Sequence, residues 1–258
     1  MPAKAAWLLL ISITFSCNLD EDITYKNTGK FVRSNSYLRE FIEENTLIYR
    51  FKYDSNRLVE NYIYTGDETR SFFYEYDSAG SLIKIRGKNP LYDYVLYPVF
   101  SDSLLTELNY FINNNFRSTY LFEYDTEGRM VRASRISDRG RLLAETVMVW
   151  EGRNISEYEL RLVYVIPNVV YKYEFEYDER LNPYRDVFRS LNYNLIEYLP
   201  ISENNWITMV AYNLEYPQTR MTLKNTFAYS GPGYPFVRLQ SAIESDGKKS
   251  EIYSEYKY

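Results

Sequence analysis

The sequence predicts an all-β fold, an up-and-down antiparallel meander of about 16–18 strands, curled or barrel-like, built from hairpin repeats of about 25 residues. Three observations predict it. From about residue 37 the apolar pattern has a period of two rather than 3.6. Tyr-Asp breaks recur at a regular spacing. There are 29 Tyr against 14 Phe, and Tyr suits strands because its ring packs while its hydroxyl stays solvated.

The strands are read in order. "SYLREFIEEN" (36–45) is predicted as a strand running into a turn. "LIYRFKY" (47–53) sets Tyr49, Phe51 and Tyr53 opposite Ile48, Arg50 and Lys52. "SFFYEY" (71–76) and "TYLFEY" (119–124) repeat the scheme. "YKYEFEY" (171–177) puts Tyr171, Tyr173, Phe175 and Tyr177 on one face and Lys172, Glu174 and Glu176 on the other. Trp206, Thr208, Val210, Tyr212 and Leu214 are expected to share a face. Strict alternation of this kind is a strand with one covered face.

The breaks are "YDSN" (53–56), "YDSAG" (76–80), "YDTEG" (124–128) and "YDERLNP" (177–183). Asp starts a turn and Gly supplies the positive φ that follows. Asp54 and Asp77 are 23 residues apart, and the gaps on to Asp125 and Asp178 are 48 and 53, twice as wide. Weaker breaks near 102, 151, 203 and 231 fill the series, giving eight units. A second set lies midway, at 64–69, 87–90, 113–115, 137–141, 166–168, 216–219 and 244–249.

Composition excludes several chemistries. The chain has no His, which removes Ser-His-Asp and Cys-His catalysis and His-ligated metals. Cys17 is the sole cysteine, so there is no internal disulfide and no Cys cluster for a metal. The net charge of −5 does not suit a nucleic-acid partner. No cofactor motif is present, so no cofactor is expected.

The first residues divide the chain. Lys4, the apolar run Ala5–Phe15 and Ser16 make a signal peptide over 1–16. The stretch 17–36 is polar and acidic and is expected to be a tether, with a single β-meander domain over 37–258. Cys17, placed where cleavage falls, resembles the lipobox cysteine of bacterial lipoproteins, although Thr14 stands where that family usually has Leu. The resemblance implies lipidation of Cys17 and a membrane partner through that anchor. Asp20-Glu21-Asp22 resembles the acidic export signal of surface lipoproteins in Bacteroidota. These features imply an exported outer-membrane lipoprotein, at the cell surface or facing the periplasm.

"YDTEGRM" (124–130) resembles the YD repeat of rearrangement-hotspot and teneurin-type proteins. Together with "EYDERLNP" (176–183), "SENNW" (202–206) and "YSGPGYP" (229–235), the chain resembles a Bacteroidota lipoprotein family of unknown function with a porin-like β fold. The resemblance implies the meander and the location, and brings no activity.

The pattern leaves closure of the sheet open. Closing or curling would remove the open edges, and a lumen this wide has to be filled. Arg132 on one face and Arg135 on the other in "RMVRASRIS" (129–137) disfavour an integral membrane barrel.

Candidate sites are sparse. Glu43-Glu44, Glu157 with Glu159 and Glu174 with Glu176 are carboxylate pairs. Residues i and i+2 on a strand lie about 6.5–7 Å apart, within the inverting-glycosidase range, but any polar strand face gives the same spacing. "GPGYP" (231–235) lacks the Lys of a phosphate loop. Ser78 and Ser103, in Asp-Ser-aliphatic tripeptides, resemble the O-glycosylation sites of Bacteroidota secreted proteins. The suggestive surface is aromatic: Tyr92, Tyr94, Tyr97, Tyr193 and Tyr198, near strand ends, are candidates to stack on a sugar. Cross-strand packing is the competing role for each of them. The expected function is a non-catalytic binding or adhesion module, with a glycan or an envelope protein as partner; the alternative is a structural or envelope-assembly component without a small ligand, and an integral outer-membrane barrel or an enzyme ranks below both.

Overall fold

The computed structural model describes residues 24–25, 31–32, 40–43, 47–54, 57–64, 69–88, 91–163, 169–182, 202–230 and 234–257. Cys17, the acidic run at 20–22, Tyr193 and Tyr198 lie outside them. Two short strands, β1 (Thr24–Tyr25) and β2 (Phe31–Val32), pair with each other. The sheet proper follows as β3 (Glu40–Glu43), β4 (Leu47–Asp54), β5 (Arg57–Tyr64), β6 (Thr69–Tyr76), β7 (Leu82–Lys88), β8 (Asp93–Ser101), β9 (Leu104–Ile112) and β10 (Asn115–Tyr124). It continues as β11 (Met130–Ser137), β12 (Leu142–Glu151), β13 (Asn154–Leu162), β14 (Val169–Leu181), β15 (Asn204–Asn213), β16 (Met221–Ser230), β17 (Tyr234–Ile243) and β18 (Lys249–Lys257). Every strand pairs antiparallel with its sequence neighbours, and β18 pairs β3 from Ser254↔Glu43 to Lys257↔Glu40, which completes a closed barrel. The meander is therefore confirmed, and the question of closure is answered by those four register positions.

The alternation in the sequence becomes inside and outside. Tyr171, Tyr173 and Phe175 are buried, with Tyr158 stacked on Tyr173 at 4.2 Å between ring centres. The opposite face is charged. Lys52 pairs with Glu60, Lys84 and Arg86 with Glu75, and Arg132 with Glu123 and Glu145. Glu157 and Glu174 stand directly opposite one another, and Lys172 Nζ neutralises both at 2.8 and 3.6 Å. Such pairs add little stability each; their meaning is that they put charge on the outer wall.

The structure explains the Tyr-Asp pair. The Tyr124 hydroxyl donates to the Leu105 carbonyl at 2.8 Å, Tyr76 to Leu58 at 2.8 Å, and Tyr177 to Ile155 at 2.7 Å. Trp150 does the same with its indole N–H to the Met130 carbonyl at 2.8 Å. Each ring thus ties the end of one hairpin to the start of the strand beside it. The Asp then builds the turn. Asp125 Oδ1 accepts from the backbone N–H of Glu127 and Arg129, and Gly128 takes φ +74°. All these turns lie on one rim, the Tyr-Asp rim. The described breaks of the second set, among them 113–115, 137–141 and 244–249, make turns of the far rim, where Asn113 and Asn114 both have positive φ, as a two-residue hairpin turn demands.

Two expectations are corrected. The break near 203 is not a separate unit: β14 runs on through Asp178 to Leu181 and pairs with β15, so 178 lies inside β14 and 203 immediately precedes β15. Trp206 does not share a face with Thr208. The register shifts between Glu176 and Tyr177, so Trp206 pairs Tyr177 and packs on the core while Thr208 pairs Glu176 on the outer wall.

Candidate binding site

β3 starts and β18 ends at the Tyr-Asp rim. The far rim faces the other way. There, on the inner side of β8–β11, a group of tyrosines lines a mouth. Tyr94 packs edge-on against Phe72 at 5.8 Å and Tyr110 at 5.7 Å, and Tyr92 lies 6.1 Å from Tyr94. Tyr94 can take this place because it crosses Gly87, its register partner on β7; a β-carbon there would collide with the ring. On the next strands Tyr120 pairs Arg135 in register, and Tyr110 pairs Ser118. The Arg135 guanidinium sits 5.6 Å from the ring centre of Tyr110 and 5.3 Å from that of Tyr120, and its Nε donates to Ser118 Oγ at 3.1 Å.

Burial pushes the Tyr110 phenol up to about 12, with Tyr92 and Tyr120 adding to the shift and Arg135 opposing it. Burial raises Tyr94 further. These hydroxyls are therefore neutral hydrogen-bonding groups around neutrality, not bases. The mouth offers ring faces, phenol groups and the Arg135 guanidinium, with Arg70 close enough to act on the Tyr94 phenol.

The sequence candidates divide. Tyr92 and Tyr94 belong to the mouth. Tyr97 does not: an odd spacing from Tyr94 turns it to the outer wall, where it is 43% exposed. There it begins a ladder with Phe111 at 5.6 Å, and Phe111 continues to Phe116 at 5.4 Å. Tyr110, Tyr120 and Arg135 were not among the candidates. The signal for them was the hairpin "NYFINNNFRSTY" (109–120), whose Asn turn brings Tyr110 opposite Ser118. Ser78 and Ser103 are exposed in neighbouring turns of the Tyr-Asp rim. The Glu157 and Glu174 carboxylates are held by Lys172 on the outer wall, and Glu43 points inward to Arg238. Among the described residues no three His, Cys, Asp or Glu side chains are grouped to hold a metal ion.

Described residues of "EYDERLNP", "SENNW" and "YSGPGYP" meet at the Tyr-Asp rim. Tyr229 donates a hydrogen bond to Asp178 Oδ2, and Asn205 Nδ2 reaches the same oxygen at 3.5 Å. Ser202 Oγ donates to the Tyr177 hydroxyl at 2.8 Å, and Arg180 covers the Tyr229 ring at 5.5 Å. Burial raises the Asp178 carboxyl against the pull of these donors. The carboxylate is enclosed by its own hydrogen bonds, so this cluster braces the rim where β14 gives way to β15.

No protein-family model matches the sequence, and no curated protein matches it. Among solved structures the chain is similar to a porin-like protein from Bacteroides uniformis ATCC 8492, with a TM-score of 0.46 and 11% identity over 84% of this chain and 94% of that one. It is also similar to a porin-like protein from Bacteroides vulgatus ATCC 8482, with a TM-score of 0.42 and 7% identity over 86% of this chain and 99% of that one.

Proposed function

We propose that the chain is a lipid-anchored binding module of the outer membrane, exposed at the cell surface, which holds a glycan at the far rim of its barrel. The observation that carries this is the aromatic mouth of Tyr92, Tyr94, Tyr110 and Tyr120 at the end opposite the strand that continues from the tether. Sugar rings stack on aromatic faces while their hydroxyls meet phenol groups. The charged outer wall supports attachment by lipid rather than by spanning: a Lys or Arg facing the bilayer midplane costs about 2–4 kcal/mol each.

Two measurements test the reading. Cys17→Ala should release the protein from the membrane fraction; if the variant still sediments with membranes, the anchor is wrong. Glycan-array binding should fall at least tenfold in Tyr92→Ala, and an unchanged array profile sinks the mouth as the site.

A second reading, an envelope-assembly component, draws on the outer ladder Tyr97–Phe111–Phe116, with Tyr97 and Phe116 43% and 38% exposed. Exposed aromatic groups of this kind mark protein contacts. Copurification of an envelope protein lost on Phe116→Ser, with no glycan signal, would favour it.

A further inference from the structure

The mouth contains a cation without a counter-ion. Arg86, Arg129, Arg132, Arg153, Arg161 and Arg238 each pair with a carboxylate. Arg135 has none within 4.0 Å among the described residues, although it faces inward and is half-buried. Arg117, Arg139 and Arg141 are exposed, so water serves them. An inward guanidinium is costly to keep unless something compensates it. Here two tyrosine rings flank it and Ser118, itself fully buried, fixes its Nε edge. That holds the side chain in place and leaves the Nη edge without a carboxylate or hydrogen-bond partner among the described residues. A preorganised guanidinium fork matches a planar carboxylate through two parallel hydrogen bonds.

We propose that Arg135 anchors a carboxylate subsite at the far-rim mouth, so that the glycan taken there is an acidic one, bearing a uronic or sialic acid. The inference rests on the glycan-binding reading above and narrows it. The carboxylate supplies the missing counter-ion, and the adjoining rings of Tyr92, Tyr94 and Tyr110 supply stacking faces for the sugar that carries it. The chain's net charge of −5 makes general attraction of anions a poor explanation for any such binding.

The test is calorimetric titration of the full chain with oligogalacturonate, a glucuronate-containing oligosaccharide and a sialyl oligosaccharide. Galactan oligomer and sodium acetate are the controls. At least one acidic probe should bind more tightly than galactan and weaken as NaCl rises. Arg135→Met should lower its affinity at least tenfold and leave galactan binding unchanged. Arg135→Lys should restore only part, because a point charge lacks the fork. Circular dichroism of both variants checks the fold.

Equal affinity of Arg135→Met for the acidic probe overturns the subsite, and so does acetate competing as strongly as the acidic oligosaccharide. Galactan binding without any acidic preference overturns the subsite and leaves the binding-module reading standing. No binding of any glycan sinks both.

Discussion

Arg238 on β17 donates from Nη2 to Glu43 Oε2 on β3, 2.9 Å away, across the strand that lies between them. The same nitrogen donates to Ser254 Oγ on that intervening strand, also at 2.9 Å. The three side chains therefore span the seam where the last strand meets the first. Arg238 is 1% exposed. Removing one member of such a pair strands the other in a dry interior. Glu43→Ala should cost about 3–5 kcal/mol. The double variant Glu43→Leu/Arg238→Met should recover most of it, because neither charge is then buried. Urea unfolding of the three proteins measures this; a double variant as unstable as Glu43→Ala would show that the pair does more than balance charge.

The tyrosine hydroxyls predict a set of equal, small losses. Tyr124→Phe and Tyr76→Phe keep the ring and remove the donor to Leu105 and Leu58. Each should cost about 1 kcal/mol. The two share no partner, so the double variant should add to within about 0.5 kcal/mol. Thermal or urea unfolding that shows no loss in either variant would reduce the repeat's Tyr to a packing residue.

Asp125 and Asp178 occupy the same place in two repeats and should titrate in opposite directions from 3.8. The backbone N–H of Arg129 and then its guanidinium hold Asp125 low. Its stabilising effect is present above the unfolded value and is lost as pH falls through the folded one. Burial raises Asp178. The folded state then binds its proton more tightly than the unfolded chain, so stability falls as pH rises from 3.8 through the folded value. Carboxyl carbon NMR titration should find Asp178 above Asp125; the reverse order would overturn the account of both turns.

Gly87 should be intolerant of a methyl group because Tyr94 lies where it would go. Gly87→Ala should displace the ring, change the near-ultraviolet dichroism and cost about 1–3 kcal/mol. Tyr94→Ala combined with Gly87→Ala should recover part of that stability while abolishing glycan binding. An unchanged spectrum in Gly87→Ala would mean that Tyr94 is elsewhere in solution.

The fold was largely legible because its signals are local. Alternation in 171–177 assigns inside and outside residue by residue, and Asp125 with Gly128 form their turn within five residues. Trp206 escaped for a physical reason: a register shift in the pairing with β14 changes its face, and a bulge leaves no mark in the alternation of one strand. The parity of Tyr94 and Tyr97 already placed them on opposite faces, so their grouping as one site could have been resolved from the sequence itself.

The sequence alone determined the repeating hairpin, most of its two sets of turns and, away from bulges such as that at Trp206, which side of a strand faces inward, all of which depend on neighbours a few residues apart. Only the tertiary structure decided that β18 meets β3, that Arg238 reaches Glu43, and that Tyr94, Tyr110, Tyr120 and Arg135 share one mouth. Those depend on strand register around the ring. Register is a sum over many weak cross-strand contacts between distant segments, and no single segment carries it.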